Sequence, residues 1–308
     1  MRQFLSCLLC GVLALAPGAR AAEPQPAGDP HVLVMGAVSD DPAGDYGRLK
    51  PLLEYAVARM EGVGIREGRI LMARDVRQMA SYLRRGRVDW VTGSAATGVR
   101  LQMQGGAQPL LLDERDGASR YHAVVFVRSD SRVRRLEDLR GGSIAFADGS
   151  STAAYYMPAL RLLDRQLPLQ LLASPLDRPG AGAVGYVFAR SQANIAAWVH
   201  RGLVEAGTAS DADWDNPQSM PPGFRDGFVV VDRSPEYPRA LEVVRGDLAA
   251  GVRDRLREVL LQAGTDPDAR EPLLEFARTT RFLPIDADAE SGLGRVREGV
   301  ERVRAEVE

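Results

Sequence analysis

Hydroxyl side chains follow one short apolar run near the middle of the chain. Ser143–Ala147 is predicted as a buried strand, and Ser150, Ser151 and Thr152 stand between it and a helix that begins at Ala153. Hydroxyls and backbone N–H groups at a helix start donate hydrogen bonds outward, and the helix dipole adds partial positive charge there. Such a turn can bind an anion without a metal ion or a lysine. An ordinary capped helix has the same residue types, so both interpretations stay open at this point.

Four kinds of functional site find little support among the remaining residues. The histidines, His31, His122 and His200, stand in no motif that pairs a base with a nucleophile, and they are too scattered to predict a metal site. Gly180–Gly185 matches the G-x-G-x-x-G pattern of dinucleotide sites, but it follows a proline-containing loop instead of a strand. The formal net charge of −2 disfavours a nucleic-acid partner. We therefore predict no catalytic residue, no metal and no cofactor.

Strands alternate with helices along the chain, which is typical of an α/β architecture with largely parallel sheets. Four junctions run from a strand through a turn containing Gly, Ser or Asp into a helix: Val38–Asp40, Val91–Ser94, Asp148–Thr152 and Val231–Ser234. Close to the last junction, Arg239–Val244 is assigned to a helix. The carboxyl ends of parallel strands meet at one edge of a sheet, where ligands bind. We therefore expect the four turns to converge on a small anionic ligand.

The first residues have the pattern of an export signal. Residues 1–21 contain a short apolar run, Phe4–Leu15, and end in a small-x-small triplet, which predicts a cleaved signal peptide; the run is too short to span a membrane. Residues 22–31 are rich in Pro, Gly and Ala and are predicted as a flexible leader. Cys7 and Cys10 both fall within the signal peptide, so the exported chain is expected to carry no disulfide. We predict a periplasmic protein of two domains within the 308 residues.

One succession of motifs resembles a known family. The residues that carry it are Tyr121–Ser131, Leu136–Gly141, Ile144–Phe146, Ser151–Tyr155 and Pro158. This order is similar to that of the PhnD-like substrate-binding proteins of phosphonate, phosphite and phosphate ABC importers. The resemblance extends over roughly residues 32–284.

The resemblance implies a two-lobed periplasmic-binding-protein type 2 fold, the Venus flytrap, with two α/β sheets that carry helices on both faces. Lobe 1 would combine residues 32–112 and 228–308, and lobe 2 would comprise residues 122–227. The segments 113–121 and 223–228 would cross between the lobes as hinges. Ligand would bind between the lobes and close them.

The resemblance also implies an oxyanion cradle at Ser151 and Thr152, beside Ser150. Ala153 stands where the family has a third hydroxyl, so one donor is missing while its backbone N–H remains.

Further ligand-binding residues are implied around the cleft. Thr97 replaces an aromatic residue of the family, Gln192 replaces a histidine after Arg190, and Glu205 matches a later acidic residue. From position alone, Tyr46 is expected in a loop that faces the cleft. Tyr121 either binds ligand through its hydroxyl or packs at the hinge. These departures leave phosphonate, another oxyanion and a larger ligand as alternatives.

The family implies the solute-binding component of an ABC importer, a protein without catalysis. It would capture a small oxyanion, phosphonate-, phosphite- or phosphate-like, as a monomer and present the closed form to membrane permease subunits. The alternative is a periplasmic sensor of the same fold that signals to a membrane kinase or cyclase. An enzyme is the third and weakest hypothesis.

Overall fold

The computed structural model describes residues 29–308. The predicted signal peptide, its two cysteines and most of the predicted leader lie outside this range. Among the described residues, no helix has the length and apolar character needed to cross a bilayer.

Lobe 1 is built on a six-stranded sheet with the strand order β14-β4-β13-β3-β1-β2. Its strands are β1 (Val32–Val38), β2 (Glu67–Ala73), β3 (Trp90–Ser94), β4 (Gln108–Arg115), β13 (Ala240–Val244) and β14 (Thr279–Leu283). Its helices are α1 (Pro42–Val57), α2 (Val76–Arg84), α3 (Ala95–Gly105), α8 (Ala250–Ala263) and α9 (Arg270–Glu275), with 3-10 turns at Glu61–Val63 and Pro267–Ala269. Apolar residues of α1, α8 and α9 form a cluster on one face, and those of α2 and α3 belong to the cluster on the other.

Lobe 2 is built on a second six-stranded sheet with the order β11-β6-β10-β7-β9-β8. Its strands are β6 (Ala123–Arg128), β7 (Ser143–Phe146), β8 (Leu169–Leu171), β9 (Val184–Phe188), β10 (Ala206–Ser210) and β11 (Phe228–Arg233). Its helices are α4 (Met157–Leu163), α5 (Gln192–His200), α6 (Asp211–Asp215) and α7 (Pro222–Arg225), with a 3-10 turn at Leu136–Leu139 and a π-helical turn at Thr152–Tyr156. The predicted fold class is confirmed, although both sheets mix parallel and antiparallel pairs.

Local sequence explains the elements that approach the cleft. In α2, Val76, Met79, Ala80 and Leu83 are buried at the i, i+3, i+4, i+7 spacing that gives a helix one apolar face. The Asp75 carboxylate caps this helix by accepting the Gln78 N–H at 2.7 Å. The first turn of α2 is thereby fixed at the end of β2.

The return crossing lies later in the chain than predicted. β11 pairs with β6 in the lobe 2 sheet, so Phe228–Arg233 belongs to lobe 2, and the segment 223–228 is not a hinge. The chain instead crosses back just before β13, where β12 (Tyr237–Pro238) pairs with β5 (Arg120–Tyr121) in a two-stranded hinge ribbon. The physical reason is the run of valines in β11, which completes the open edge of β6.

The predicted helix at Arg239–Val244 is also wrong, because Ala240–Val244 forms β13. All five of its residues are buried, and the strand lies between β3 and β4 with antiparallel pairing on both sides. A short apolar run that is buried on both faces has no amphipathic period, so its place in the sheet decides its conformation.

The last helix, α10 (Ala287–Glu306), packs against both lobes. It contacts α3 in lobe 1 and the hinge ribbon, α4 and the π-helical turn on the lobe 2 side. A Cβ atom at Gly292 would come within 2.6 Å of the Pro238 side chain, so only glycine permits this approach to the ribbon. The apolar cluster that contains Val296, Val300 and Val303 is therefore continuous from lobe 1 into lobe 2.

Candidate functional site

Three of the four predicted junctions meet in the cleft between the lobes. Ser39 follows β1, Ser94 ends β3, and Asp148–Thr152 follows β7. The fourth, Val231–Ser234, lies elsewhere: its Asp232 carboxylate accepts a hydrogen bond from Arg161 Nη2 at 2.6 Å, and this ion pair holds α4 against β11. The convergence of the turns is therefore observed for the three junctions that follow β1, β3 and β7, and binding of an anion there stays a prediction.

The two lobes touch directly at the base of the cleft. The Ala96 N–H, at the start of α3, donates to Thr152 Oγ1 at 2.9 Å, and Ser94 Oγ donates to the Ser150 carbonyl at 2.9 Å. Thr152 is 1 % exposed. We call these four residues the inner contact. The hydroxyl of Thr152, predicted as part of an oxyanion cradle, thus accepts a hydrogen bond from a backbone donor of lobe 1.

The neighbouring predicted residues lie close to the inner contact, but their polar atoms bond to protein. Ser151 Oγ accepts the Ala154 N–H at 3.0 Å and caps the π-helical turn. Thr97 is buried, and its Oγ1 lies 3.2 Å from Ser94 Oγ. Ala153 is buried as well.

An open polar cavity of about 500 Å³ lies outward from the inner contact. We call it the outer pocket and define it by Ser39, Arg74, Arg100, Asp148, Arg190 and Glu308, all of which line it together with Ser150. Lobe 1, lobe 2 and Glu308, two residues after the end of α10, each supply part of its wall. Of the predicted site residues, only Ser150 lines this cavity.

Two guanidinium groups of the outer pocket have no carboxylate partner within residues 29–308. Arg100 Nη1 donates to the Gly149 carbonyl at 3.0 Å, while its Nε is buried and unpaired. Arg190 has a φ of 69°, in the left-handed region, and its side chain makes no hydrogen bond to the described chain. The left-handed conformation costs a non-glycine residue about 1–2 kcal/mol. An arginine held there beside an open cavity is well placed to bind an anion.

Four aspartates also line the outer pocket, Asp40, Asp45, Asp75 and Asp148. Asp148 accepts the Ser150 N–H at 2.7 Å and also bonds to its hydroxyl. Asp45 bonds to Ser39 and Arg48. Asp45 is thus paired with a cation, and Asp75 lies 3.7 Å from Arg74, whereas the hydrogen bonds of Asp148 come from neutral groups.

Tyr121 is buried in the hinge ribbon. Its hydroxyl donates to the Arg239 carbonyl at 3.2 Å, and its ring meets Tyr237 edge to face with 5.1 Å between centroids. Burial raises the pKa of Tyr121 to about 12. Of the two roles predicted for Tyr121, the structure shows the packing role.

Two other predicted residues are placed around the rim of lobe 2 and on α1. Gln192 begins α5, two residues after Arg190, and its Oε1 is buried without a partner among the described residues. Tyr46 lies within α1, is 47 % exposed and does not line the outer pocket.

Glu205 lies at the wrong end of the lobe 2 sheet for ligand binding. Its carboxylate accepts the Ser143 N–H and hydroxyl, both at 2.7 Å, and pairs with Arg178 at 2.8 Å. Ser143 is the first residue of β7, whereas the cradle follows the last residue of this strand. The expectation for Glu205 is therefore corrected: it fixes the beginning of β7.

The family model for the periplasmic substrate-binding protein of phosphonate ABC transporters matches residues 36–290. The chain belongs to this family. Members are periplasmic solute-binding proteins, so the predicted family and its fold are confirmed.

Several solved structures are similar to this chain. XAC2383 from Xanthomonas citri is 46 % identical in a structure bound to chloride, which covers 90 % of this chain and 100 % of that one with a TM-score of 0.87. The same protein bound to ATP is 45 % identical, with the same coverage and a TM-score of 0.86. PhnD1 from Prochlorococcus marinus, in complex with methylphosphonate, is 18 % identical, covers 90 % and 99 % of the two chains, and has a TM-score of 0.64. This last likeness concerns the fold alone.

Several pocket residues lie outside the family motif from which the site was predicted. Ser39 and Asp148 belong to predicted junctions, and Arg190 is the substitution noted beside Gln192. Arg100 lies four residues, about one helical turn, after Ala96 in the first turn of α3, so helical spacing from that turn would have indicated it. Glu308 has no local signal, because α10 brings it to the cleft from the far end of the described chain.

Proposed function

We propose that the chain binds a small molecule with a phosphate or phosphonate group in the outer pocket, as the substrate-binding component of an importer. The observation that carries this proposal is the pair Arg100 and Arg190. They come from different lobes, line one cavity and have no carboxylate partner among the described residues. A phosphoryl group between them would link the lobes through charge-assisted hydrogen bonds.

The size of the pocket favours a ligand larger than a bare oxyanion. Its volume of about 500 Å³ falls in the range of organic-ligand pockets. The inner contact occupies the cradle that a small oxyanion would use, whereas the outer pocket leaves room for an organic group attached to phosphorus. The binding of ATP by the Xanthomonas citri protein supports the same class of ligand. Whether a permease or a membrane sensor receives the ligand-bound form stays a prediction.

Calorimetric titration of the secreted chain with ATP, methylphosphonate and inorganic phosphate tests this proposal, with acetate as the control anion. We expect saturable binding of at least one phosphorus compound and a corresponding rise of the melting temperature. The variant Arg100→Met should weaken this binding. Binding of none of the phosphorus compounds would refute the proposal.

A further inference from the structure

Glu308 places a carboxylate in the wall of the outer pocket. Tyr156 Oη donates to Glu308 Oε1 at 3.1 Å, and Arg304 Nε lies 3.6 Å from its other oxygen. The side chain is 33 % exposed, so it faces the open cavity as well as its partners. Tyr156 lies at the end of the π-helical turn that the cradle begins, so Glu308 connects α10 to the ligand-facing part of lobe 2.

Two largely buried tyrosines, Tyr156 and Tyr155, lie near the Glu308 carboxylate. Burial raises the pKa of the Tyr156 hydroxyl, and the Glu308 carboxylate raises it further. Tyr155 shows the same two effects, and its buried hydroxyl has no hydrogen-bond partner among the described residues. Arg100 lies over the Tyr156 ring, with its guanidinium carbon 5.9 Å from the ring centroid.

Arg100 and Glu308 share the pocket without forming an ion pair. Both line the outer pocket and the adjoining cavity of about 560 Å³, yet the guanidinium bonds to the Gly149 carbonyl and not to the carboxylate. An anion bound at Arg100 would therefore lie near the Glu308 carboxylate, whose one cationic partner among the described residues, Arg304, is 3.6 Å away and partly exposed. The Coulomb repulsion between the Glu308 carboxylate and a bound anion grows in proportion to the charge of that anion.

We infer that the Glu308 carboxylate is a specificity-determining group that penalises highly charged anions in the outer pocket. This inference rests on the proposed function, because it concerns the same ligand site. A triphosphate would lose more affinity to Glu308 than a phosphonate does. The residue therefore tunes which phosphorus compounds the protein binds.

The variant Glu308→Gln tests the inference, because the amide keeps an acceptor for the Tyr156 hydroxyl and removes the charge. The matched control is Glu306→Gln, which removes the same charge from α10 at a residue that pairs with Arg302 and does not line the pocket. Titrations with ATP and methylphosphonate at low and high salt provide the measurement. We expect E308Q to bind ATP about three- to tenfold more tightly, with a smaller gain for methylphosphonate and a difference that shrinks at high salt.

The outcomes separate this inference from the proposed function. If the wild type binds ATP or methylphosphonate and E308Q changes neither affinity, the inference is wrong and the proposed function stands. Equal gains in affinity in E308Q and E306Q would show that the effect comes from the net charge of the protein. This result would also overturn the inference. A gain of ATP binding in E308Q alone supports it, even where the wild type binds ATP weakly. If no variant binds any phosphorus compound, both proposals fail together.

Discussion

The polar groups at the base and at the rim of the cleft differ in whether they are paired with each other. At the base, the inner contact pairs the donors and acceptors of the two lobes with each other, and Thr152 is almost fully buried. At the rim, the outer pocket brings Arg100 and Arg190 to an open cavity without carboxylate partners among residues 29–308. The base holds the lobes together, and the rim has binding capacity left for a ligand.

The base of the cleft therefore differs from the open oxyanion cradle that the resemblance predicts there. Thr152 stands where the family has a cradle hydroxyl, but it accepts a hydrogen bond from the first turn of α3. A small oxyanion would have to break this bond and separate the lobes in order to reach it. A ligand in the outer pocket avoids that cost and adds to the contact between the lobes.

The largest expected effect comes from Arg100, the guanidinium that lies between base and rim. Hydrogen bonds to charged groups contribute about 1.5–3 kcal/mol, so Arg100→Met should lower the affinity for ATP about 10- to 150-fold. Calorimetry measures this change, and Arg85→Met, at an exposed position after α2, is the control that removes the same charge. If R100M binds ATP as tightly as the wild type, ATP does not bind in the outer pocket.

The second-largest effect is expected from Thr152, at the base of the cleft. Thr152→Val removes the acceptor of the buried Ala96 N–H and should reduce the free energy of unfolding of the ligand-free protein by about 1–2 kcal/mol. Thr152→Ser keeps the hydroxyl and should restore most of this stability. Chemical denaturation without ligand provides the measurement. If T152V unfolds like the wild type but no longer binds ATP or methylphosphonate, Thr152 is a ligand donor as the family motif implies.

The sequence predicts these regions unequally for physical reasons. Turns that follow parallel strands are local features, and the topology places their ends together, so Ser39 and Asp148 follow from the pattern. Glu205 was assigned by its spacing in a family motif, and spacing does not determine at which end of a sheet a residue lies. Arg100 and Glu308 enter the pocket through the packing of α3 and α10, which is a property of the complete fold.

Domain boundaries and strand assignments also depend on contacts that only the complete fold provides. The valines of β11 are compatible with either lobe, and the open edge of β6 decides between them. Ala240–Val244 is short and wholly buried, so its sequence does not distinguish a strand from a helix, and the antiparallel pairing with β3 and β4 does. The fold class was predictable because it depends on the alternation of elements over the whole chain.

The smallest effect on ligand affinity is expected at Arg190. Two substitutions there distinguish the contribution of the side-chain charge from that of the left-handed backbone. Both Arg190→Gly and Arg190→Ala remove the guanidinium at the rim, and each should weaken ATP binding about fivefold, which corresponds to about 1 kcal/mol. Only glycine relieves the left-handed conformation at φ 69°. R190G should therefore be more stable than R190A by up to about 1 kcal/mol in chemical denaturation, while their affinities agree. If R190G binds ATP as tightly as the wild type, Arg190 is a structural residue of the turn after β9, and the rim has a single anion-binding guanidinium.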